Sequence, residues 1–591
     1  MNILLTAINA KYIHSNLAVY SLRACAGEYR DAVELAEYTI NNQKDYILEE
    51  LYKRKPDVLC FSCYIWNIDY VTDIAREYKK LCPSVPIWVG GPEVSYEVEA
   101  FLRENPHIDG VMIGEGEDTF RELCGYYAHK RKLSDIAGIA FRKNSTSNST
   151  SVNNIGGNKA GEIVFTSPRP IKNMSEIPFC YDTLDDFSNR IIYYESSRGC
   201  PFSCSYCLSS VDKTLRFRDT EIVKRELKFF IDQKVPQIKF VDRTFNCNHA
   251  HAMELWRFIK ANDNGVTNFH FEISADLLNQ EELELISDMR PGLIQLEIGV
   301  QSTNEVTIKE IHRTMKLERL KEVVRLIQRG NNIHEHLDLI AGLPYEDYDS
   351  FGRSFDEIYE LKPNQLQLGF LKVLKGSYMF EHAAEYGIVY HDKPPYEVMS
   401  TKWLSFDDVI KIKRVEEMLE VYYNSGQFEI TMKLMECIFD SAFEFFQELG
   451  DFYEANGYFG MSHSRIRRCE ILLEFLALYL HGCDSDNTDF DENAQLYSMI
   501  QESLIFDLYY RENCKSRPVW ATDIGSFKHM THAYCKNGKL SHVEPFHYIF
   551  PDKHTRKLDE LPKYHKEPVW ALFHYDMRDP LDHQAMVEYI E

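Results

Sequence analysis

The chain has 591 residues, of which 44% are hydrophobic and 27% charged, and its formal net charge is -25 at pH 7. This length and composition predict several folded globular domains. The acidic excess argues against a broad nucleic-acid-binding surface, because phosphate binding depends on clustered Lys and Arg. Fifteen cysteines in so long a chain do not indicate a dense disulfide scaffold.

The N-terminal residues lack both a cationic segment and a long apolar run. No stretch approaches the roughly 20 apolar residues that a membrane-spanning helix needs. We therefore expect a cytoplasmic protein with no membrane association.

The first quarter of the chain alternates short apolar strands with helical segments, with strands predicted at 3–8, 57–64, 87–89 and 110–113. This pattern favours a doubly wound parallel sheet that binds ligands at the carboxyl ends of its strands. Three of those ends carry small or polar residues, namely Ser62 with Trp66, then Gly90, Gly91, Pro92 and Glu93, then Gly114, Glu115 and Gly116. Glycine there allows the backbone to approach a flat ligand closely, although each turn alone is more often just a tight strand-to-helix connection.

A connecting region follows. Residues 139–141 and 163–165 are predicted to pair as a hairpin, and the Ser-, Thr-, Asn- and Gly-rich stretch 144–161 between them as a flexible tip. The proline-containing stretch 168–186 is predicted to be a linker.

The next region contains six apolar strands that alternate with helices, predicted at 191–195, 237–241, 269–273, 293–298, 336–340 and 365–370. Six such units form an open, partial barrel whose functional groups lie at the strand C-termini. The last third is predicted to be mainly helical, and its many Tyr and Phe residues to pack between helices.

A cysteine cluster with the spacing C-x3-C-x2-C follows the first barrel strand, at Cys200, Cys204 and Cys207. Soft thiolates suit an iron-sulfur cluster, and three protein ligands leave one iron open to a small molecule. The alternatives are a zinc site, which normally needs a fourth Cys or His, and three unrelated buried thiols.

With Tyr206 as the aromatic residue, this motif resembles the signature of the radical S-adenosylmethionine (SAM) superfamily. The resemblance implies a [4Fe-4S] cluster whose open iron is chelated by SAM, and cleavage of SAM to a 5′-deoxyadenosyl radical. With the three glycine-containing turns ahead of it, the whole chain resembles the B12-binding radical SAM proteins that carry a C-terminal extension of unassigned function.

This resemblance implies four regions: a Rossmann-like cobalamin-binding domain at 1–137, a hairpin and linker at 138–186, a partial (βα)6 radical SAM barrel at 187–376, and a mainly helical domain of unknown role at 377–591. The cobalamin-binding residues would be His14, Ser62, Trp66, Gly90, Gly91, Pro92, Glu93, Gly114, Glu115 and Gly116. His14 occupies the histidine position of the D-x-H-x-x-G motif, but the Asp and Gly of that motif are absent. We expect His14 to lie near cobalamin without ligating cobalt.

The SAM-binding residues implied by the resemblance are Tyr206, Asp242, Thr244, Glu272, Gln301, Arg313 and Asp338. Glu272 and the turn at 242–244 would meet the methionyl amino end. Gln301 and Asp338 would bind the ribose hydroxyls, and the guanidinium of Arg313 would bind the carboxylate. Gln301 and Arg313 follow the fourth barrel strand, distant in sequence from the cluster loop, and would touch that loop only through SAM. The alternative is that Arg313 is a surface residue of a helix spanning 306–328.

The resemblance implies a 4Fe-4S- and cobalamin-dependent enzyme that methylates an unactivated carbon of a small-molecule or peptide substrate through a 5′-deoxyadenosyl radical and methylcobalamin, with flavodoxin or ferredoxin as reductant. One alternative keeps both cofactors but catalyses a rearrangement, oxidation or cyclisation. A second is a cobalamin- or SAM-binding regulatory protein. A methylthiotransferase fits poorly, because Cys60 and Cys63 point to opposite faces of a strand and the composition is acidic.

Overall fold

A computed structural model describes residues 1–590 except 144–161, 212, 483–489, 523, 526–529, 531–532, 536–539, 552–554, 556–557 and 559. The predicted tip at 144–161 lies outside the described residues. Packing divides the chain into two compact units, the first formed by 1–277, 311–314 and 371–399, and the second by 278–310, 315–370 and 400–591. The domain boundaries drawn from the sequence remain predictions, because these units combine separate chain segments.

The strands are β1 Ile3–Asn9, β2 Val33–Thr39, β3 Val58–Ser62, β4 Ile87–Gly90, β5 Gly110–Met112, β6 Ile139–Arg142, β7 Ile163–Phe165, β8 Ile192–Tyr194, β9 Ser197–Arg198, β10 Arg216–Phe217, β11 Gln237–Phe240, β12 Asn268–Ile273, β13 Ile294–Gln301, β14 His334–Ala341, β15 Gln365–Phe370, β16 Val389–Tyr390, β17 Val398–Ser400, β18 Ser541–Tyr548, β19 Tyr564–Arg578 and β20 Ala585–Ile590. The α-helices are α1 Leu17–Cys25, α2 Lys44–Arg54, α3 Ile68–Leu81, α4 Val98–Glu104, α5 Glu117–Tyr127, α6 Thr220–Asp232, α7 His249–Ala261, α8 Gln280–Ser287, α9 Glu305–Glu310, α10 Leu317–Arg329, α11 Tyr348–Tyr359, α12 Tyr378–His382, α13 Phe406–Leu419, α14 Glu429–Ile438, α15 Ala442–Ala455, α16 Arg465–Gly482 and α17 Phe490–Arg511.

The first unit begins with a seven-stranded sheet in the order β2-β1-β3-β4-β5-β6-β7. The first five of these strands are parallel, and β6 and β7 form the predicted antiparallel hairpin at one edge. Every residue of β3 is buried, as expected for a strand covered on both faces. One face is covered by α3, whose Val71, Ile74 and Tyr78 recur at helical spacing and join the core. The doubly wound sheet is confirmed, and the edge strand β2 is an addition to the prediction.

All six strands predicted for the barrel are present. In the first unit β11 pairs in parallel with β8 and with β12, and in the second unit β14 pairs in parallel with β13 and with β15. Each unit therefore contains three parallel strands, and within each unit the carboxyl ends of its three strands lie at one edge.

The C-terminal region of the second unit is mainly helical, as predicted, and α13 packs against α15 and α14 against α17. It also contains an antiparallel sheet in the order β18-β19-β20, which was not predicted. Among the described residues, no helix is both long enough and apolar enough to cross a bilayer.

Candidate active site

The cysteine loop begins directly after β8 and is held by the short antiparallel pair β9 and β10. Cys200 and Cys204 are buried and Cys207 is half-buried, and all three are free thiols. Burial raises the pKa of the Cys200 thiol, and Thr244 Oγ1 lies 3.8 Å from Cys200 Sγ. Within the described part of the chain, no three His, Cys, Asp or Glu side chains converge as ligands of a single metal ion. A cluster does not require such convergence, because each thiolate binds a different iron.

Asp242 is fully buried at the end of β11, where it orients the start of the cysteine loop. One carboxylate oxygen accepts the backbone N–H of Ser196 at 2.9 Å, and the other accepts the hydroxyls of Ser196 and Ser197 at 2.6 Å each. Burial raises the pKa of Asp242 to about 6. Because both oxygens are already bonded within the protein, this geometry indicates that Asp242 positions the loop, whereas the sequence suggested direct contact with SAM.

Arg313 lies directly against the cysteine loop. Its Nη1 atom is 3.8 Å from Cys204 Sγ and 3.4 Å from the hydroxyl of Tyr206. Arg313 belongs to the turn between α9 and α10, so the continuous helix predicted over 306–328 is wrong. The expectation that Arg313 reaches the loop only through SAM is also wrong. The side chain nevertheless lies where a guanidinium could bind a ligand of the cluster.

Glu272, the remaining SAM residue predicted in the first unit, is half-buried near the carboxyl end of β12. Gln301 and Asp338 lie in the second unit on the adjacent strands β13 and β14, where Gln301 pairs with the residue after Asp338. The Oε1 atom of Gln301 is buried without a hydrogen-bond partner. An orphaned acceptor at the carboxyl end of a barrel strand fits the predicted contact with a ribose hydroxyl.

The sequence did not single out Glu346, which lies beneath the turn that follows Gln301. Its Oε1 atom accepts the hydroxyl of Ser302 at 2.6 Å and that of Ser354 at 3.1 Å, and burial raises its pKa to about 7. Glu346 thereby fixes the backbone after β13.

A cavity of about 650 Å³ lies in the first unit at the carboxyl ends of β1, β3, β4 and β5. Nine of the ten predicted cobalamin-binding residues line it: His14, Ser62, Trp66, Gly90, Gly91, Pro92, Gly114, Glu115 and Gly116. The tenth, Glu93, does not line the cavity, and its carboxylate instead accepts the hydroxyl of Tyr396.

The shape of this cavity suits a flat ligand. The indole of Trp66 stacks on Tyr64 with ring centroids 4.5 Å apart and an interplanar angle of 6°. Gly114 has a φ of 75°, and a Cβ atom there would meet no protein atom within 4 Å. The backbone of this turn is therefore open to the cavity, as a close approach to a large planar cofactor requires.

His14, which follows strand β1, contacts strand β8 and the residue before it. Its Nδ1 atom is 2.7 Å from the hydroxyl of Tyr193 on β8, and its backbone forms a β-bridge with Ile191. Burial, aided by Lys11 and Lys239, lowers the pKa of the imidazole. Tyr193 was not identified from the sequence, because it is separated from His14 by 179 residues.

Ion pairs join the glycine-containing turn after β5 to the cysteine loop. Arg198, two residues before Cys200, lies 3.3 Å from Glu115, 2.8 Å from Glu117 and 2.7 Å from Glu195. Arg216 on β10 also pairs with Glu115, at 2.5 Å. The turn predicted to bind cobalamin is thus connected by ion pairs to the strands that flank the cysteine loop.

Comparison with known families agrees with this arrangement. The family described as "B12 binding domain" matches residues 3–124, and the "Radical SAM superfamily" matches 194–358. The chain therefore contains a B12-binding domain and a radical SAM domain. A further family, described as "Protein of unknown function (DUF4080)", matches residues 384–586 and covers most of the C-terminal region.

Named relatives include methyltransferases and cyclases. The cobalamin-dependent radical SAM methyltransferase TokK of Streptomyces tokunonensis is 28% identical over 361 residues, which are 57% of this chain and 49% of TokK. The anaerobic magnesium-protoporphyrin IX monomethyl ester cyclase of Rubrivivax gelatinosus is 22% identical over 355 residues, which are 57% of this chain and 60% of the cyclase. The chain thus spans about half the length of TokK.

Among solved structures, the cobalamin-dependent SAM radical enzyme OxsB with aqua-cobalamin and SAM bound matches with a TM-score of 0.57. The match covers 86% of this chain and 80% of OxsB at 15% sequence identity. At this identity the likeness establishes a shared fold.

Proposed function

We propose that this protein is a B12- and SAM-dependent radical enzyme that transfers a methyl group to an unactivated carbon of a small-molecule or peptide substrate. One observation carries the proposal: a single cavity is lined both by the turns of the B12-binding domain and by residues beside the cysteine loop. Ser62 and Gly116 lie on its first side, and Tyr193 and Arg198 lie on its second. Methyl transfer between two cofactors requires such a shared space.

The residues of the chain have separate roles in this proposal. Cys200, Cys204 and Cys207 would hold the [4Fe-4S] cluster, Arg313 would bind the SAM carboxylate, and Gln301 would accept a hydrogen bond from its ribose. Bound cobalamin would carry a methyl group taken from one SAM molecule, which leaves S-adenosylhomocysteine, and a second SAM at the cluster would supply a carbon-centred radical. Bound cofactors and substrate that fill the cavity would exclude water from these reactive species.

The cellular requirements follow from the cofactors. An exposed iron of a reduced cluster needs a low-potential electron donor such as flavodoxin or ferredoxin. It also needs a reducing compartment, and we propose the cytoplasm.

Isotope labelling of the methyl group tests the proposal. We expect reconstituted enzyme, incubated anaerobically with reductant, methyl-deuterated SAM and cell extract, to produce a labelled product together with S-adenosylhomocysteine and 5′-deoxyadenosine. Mass spectrometry follows all three, and the triple cysteine variant controls for background. Absence of the label from every product would contradict methyl transfer.

The alternative reaction is a rearrangement, oxidation or cyclisation that uses both cofactors without methyl transfer. The cyclases among the relatives support this alternative. The same experiment separates the two. A cyclase-type reaction would yield 5′-deoxyadenosine and an altered, unlabelled product, without S-adenosylhomocysteine. A regulatory protein would yield neither.

A prediction concerning His14 tests the cobalamin site. We expect the full-length protein and its His14→Ala variant to bind cobalamin, and the cob(II)alamin form to show no histidine nitrogen coupling. The physical reason is that His14 is held by Tyr193 and lacks the Asp and Gly of the ligating motif. Electron paramagnetic resonance measures this coupling. Triplet splitting of the cobalt lines that disappears in His14→Ala would show instead that His14 ligates cobalt.

A further inference from the structure

The second unit contains its own cavity, of about 320 Å³, at the border between its three parallel strands and the C-terminal region. Six segments line it: the residues before β14, the residues before β15, the turn at 422–426, α14, the end of α17 at Arg511, and the turn at 579–584 between β19 and β20. The last four segments fall within the region matched by the family of unknown function. A volume of this size is at the lower end of the range for small-molecule sites, about 300–1,000 Å³.

This cavity is at the opposite edge of the strands from the predicted SAM residue of β13. Gln301 ends β13, whereas the cavity is lined by Ile333 and His334 at the start of β14 and by Asn364 just before β15. Parallel barrels place catalysis at the carboxyl ends of their strands. A ligand in this cavity would therefore lie away from the carboxyl ends of the strands, and it would not be the substrate of the reaction there.

Gln584 supplies a buried acceptor that has no donor. Its side-chain Nε2 atom donates to the carbonyl of Gly426 at 2.9 Å, and its Oε1 atom has no hydrogen-bond partner. The amide orientation is fixed by this bond, because a carbonyl can only accept. The residue is only 2% exposed, so an unsatisfied oxygen here is costly unless a bound molecule supplies an N–H or O–H.

Arg511 supplies a cation with no carboxylate partner among the described residues. Its guanidinium donates to the backbone carbonyl of Asp582, which fixes it at the cavity wall. The neighbouring lysines are already neutralised, because Lys362 pairs with Glu436 at 2.6 Å and Lys433 with Glu429 at 3.1 Å. Of the described Lys and Arg residues that line this cavity, Arg511 is thus the one available to an anionic ligand.

We propose that this cavity is a binding site for a free α-amino acid, which would act as an effector of the C-terminal region. Arg511 would bind the carboxylate, and the Oε1 atom of Gln584 would accept a hydrogen bond from the ammonium group. Ile333, Met432 and Leu581 provide apolar surface for the side chain. Both polar contacts are required, so the ligand must carry a carboxylate and an N–H donor together.

Binding of single amino acids to the full chain tests the proposal. Each of the twenty standard L-amino acids is screened by thermal unfolding of the cofactor-free protein, and those that raise the unfolding temperature are titrated by calorimetry. We expect at least one to bind, its methyl ester to bind at least about tenfold more weakly, and Arg511→Gln to lower the affinity by about tenfold to a hundredfold. Gln584→Met should also weaken binding, whereas Arg325→Gln, which changes an exposed arginine of α10, should not.

Several outcomes would overturn the proposal. One is that no amino acid shifts the unfolding temperature or titrates with wild-type protein. Another is that affinity is the same in wild type, Arg511→Gln and Gln584→Met, which would place binding elsewhere. Retained affinity of the methyl ester would remove the carboxylate contact. Because the assay uses protein without cluster or cobalamin, its result is independent of the proposed methyl transfer.

Discussion

Alanine in place of Cys200, Cys204 or Cys207 is expected to abolish both the [4Fe-4S] absorption of reconstituted protein and the cleavage of SAM. Each thiolate binds one iron, and a hydrophobic methyl group cannot replace it. Anaerobic reconstitution followed by visible absorption, iron and sulfide analysis, and chromatography of 5′-deoxyadenosine measures the two losses.

Cys247 provides a demanding control for this experiment. It follows the Asp242 turn, and its pKa is raised to about 11, first by burial and then by the charge of the nearby Cys200. If the signature cysteines are the ligands, Cys247→Ala keeps its cluster and its SAM cleavage. An intact, SAM-cleaving cluster in any of the three signature variants would refute the assignment, and loss of the cluster in Cys247→Ala would place Cys247 among the ligands.

Apart from the edge strand β2, the strands of both predicted sheets could be predicted from the sequence because each is a short apolar run next to a turn. The break between α9 and α10 could not. Its cause is tertiary, since the carbonyl of Ile311 accepts the backbone N–H of Ser205 in the cysteine loop at 2.9 Å, and Ile311 is fully buried. Residues 306–328 have a helical pattern, but this contact interrupts the helix at Ile311. The interruption places Arg313 beside the cysteine loop.

The C-terminal sheet was missed for a different reason. The 15-residue strand β19 contains Pro568 and several Lys, Glu and His residues. The alternation of apolar and polar residues that is typical of a half-buried strand is therefore weak in its sequence. Its buried centre of Ala571, Leu572 and Phe573 is short. Only pairing with β18 and β20 makes the segment a strand.

For the candidate site, residue types at strand ends were informative, whereas partners distant in sequence were not. The turns at 90–92 and 114–116 were found because glycine after a parallel strand has a physical meaning. The ion pair between Arg216 and Glu115 joins residues 101 positions apart, and no local pattern indicates it. The same holds for the acceptor of Gln584 and for Arg511, which become a cavity wall only in the folded chain.

Arg313→Ala is expected to weaken SAM binding by about tenfold to a hundredfold, the effect of losing one charge-assisted contact worth roughly 1.5–3 kcal/mol. Arg313 is half-buried beside Cys204 and Tyr206, so its charge is only partly screened by solvent. The cluster itself should still assemble, because all three thiolates remain. Equilibrium binding of SAM to reconstituted protein measures the affinity, and visible absorption measures the cluster.

Two further variants separate the role of Arg313 in ligand binding from a general effect of removing an arginine. Arg225→Ala removes an exposed arginine of α6 in the same unit and should leave SAM affinity unchanged. Arg313→Lys keeps the charge but loses the planar pair of donors, so it should recover only part of the affinity. Wild-type affinity in Arg313→Ala with an intact cluster would assign the carboxylate to another residue. Failure of the cluster to assemble would instead show that the contact with Cys204 is needed to organise the loop.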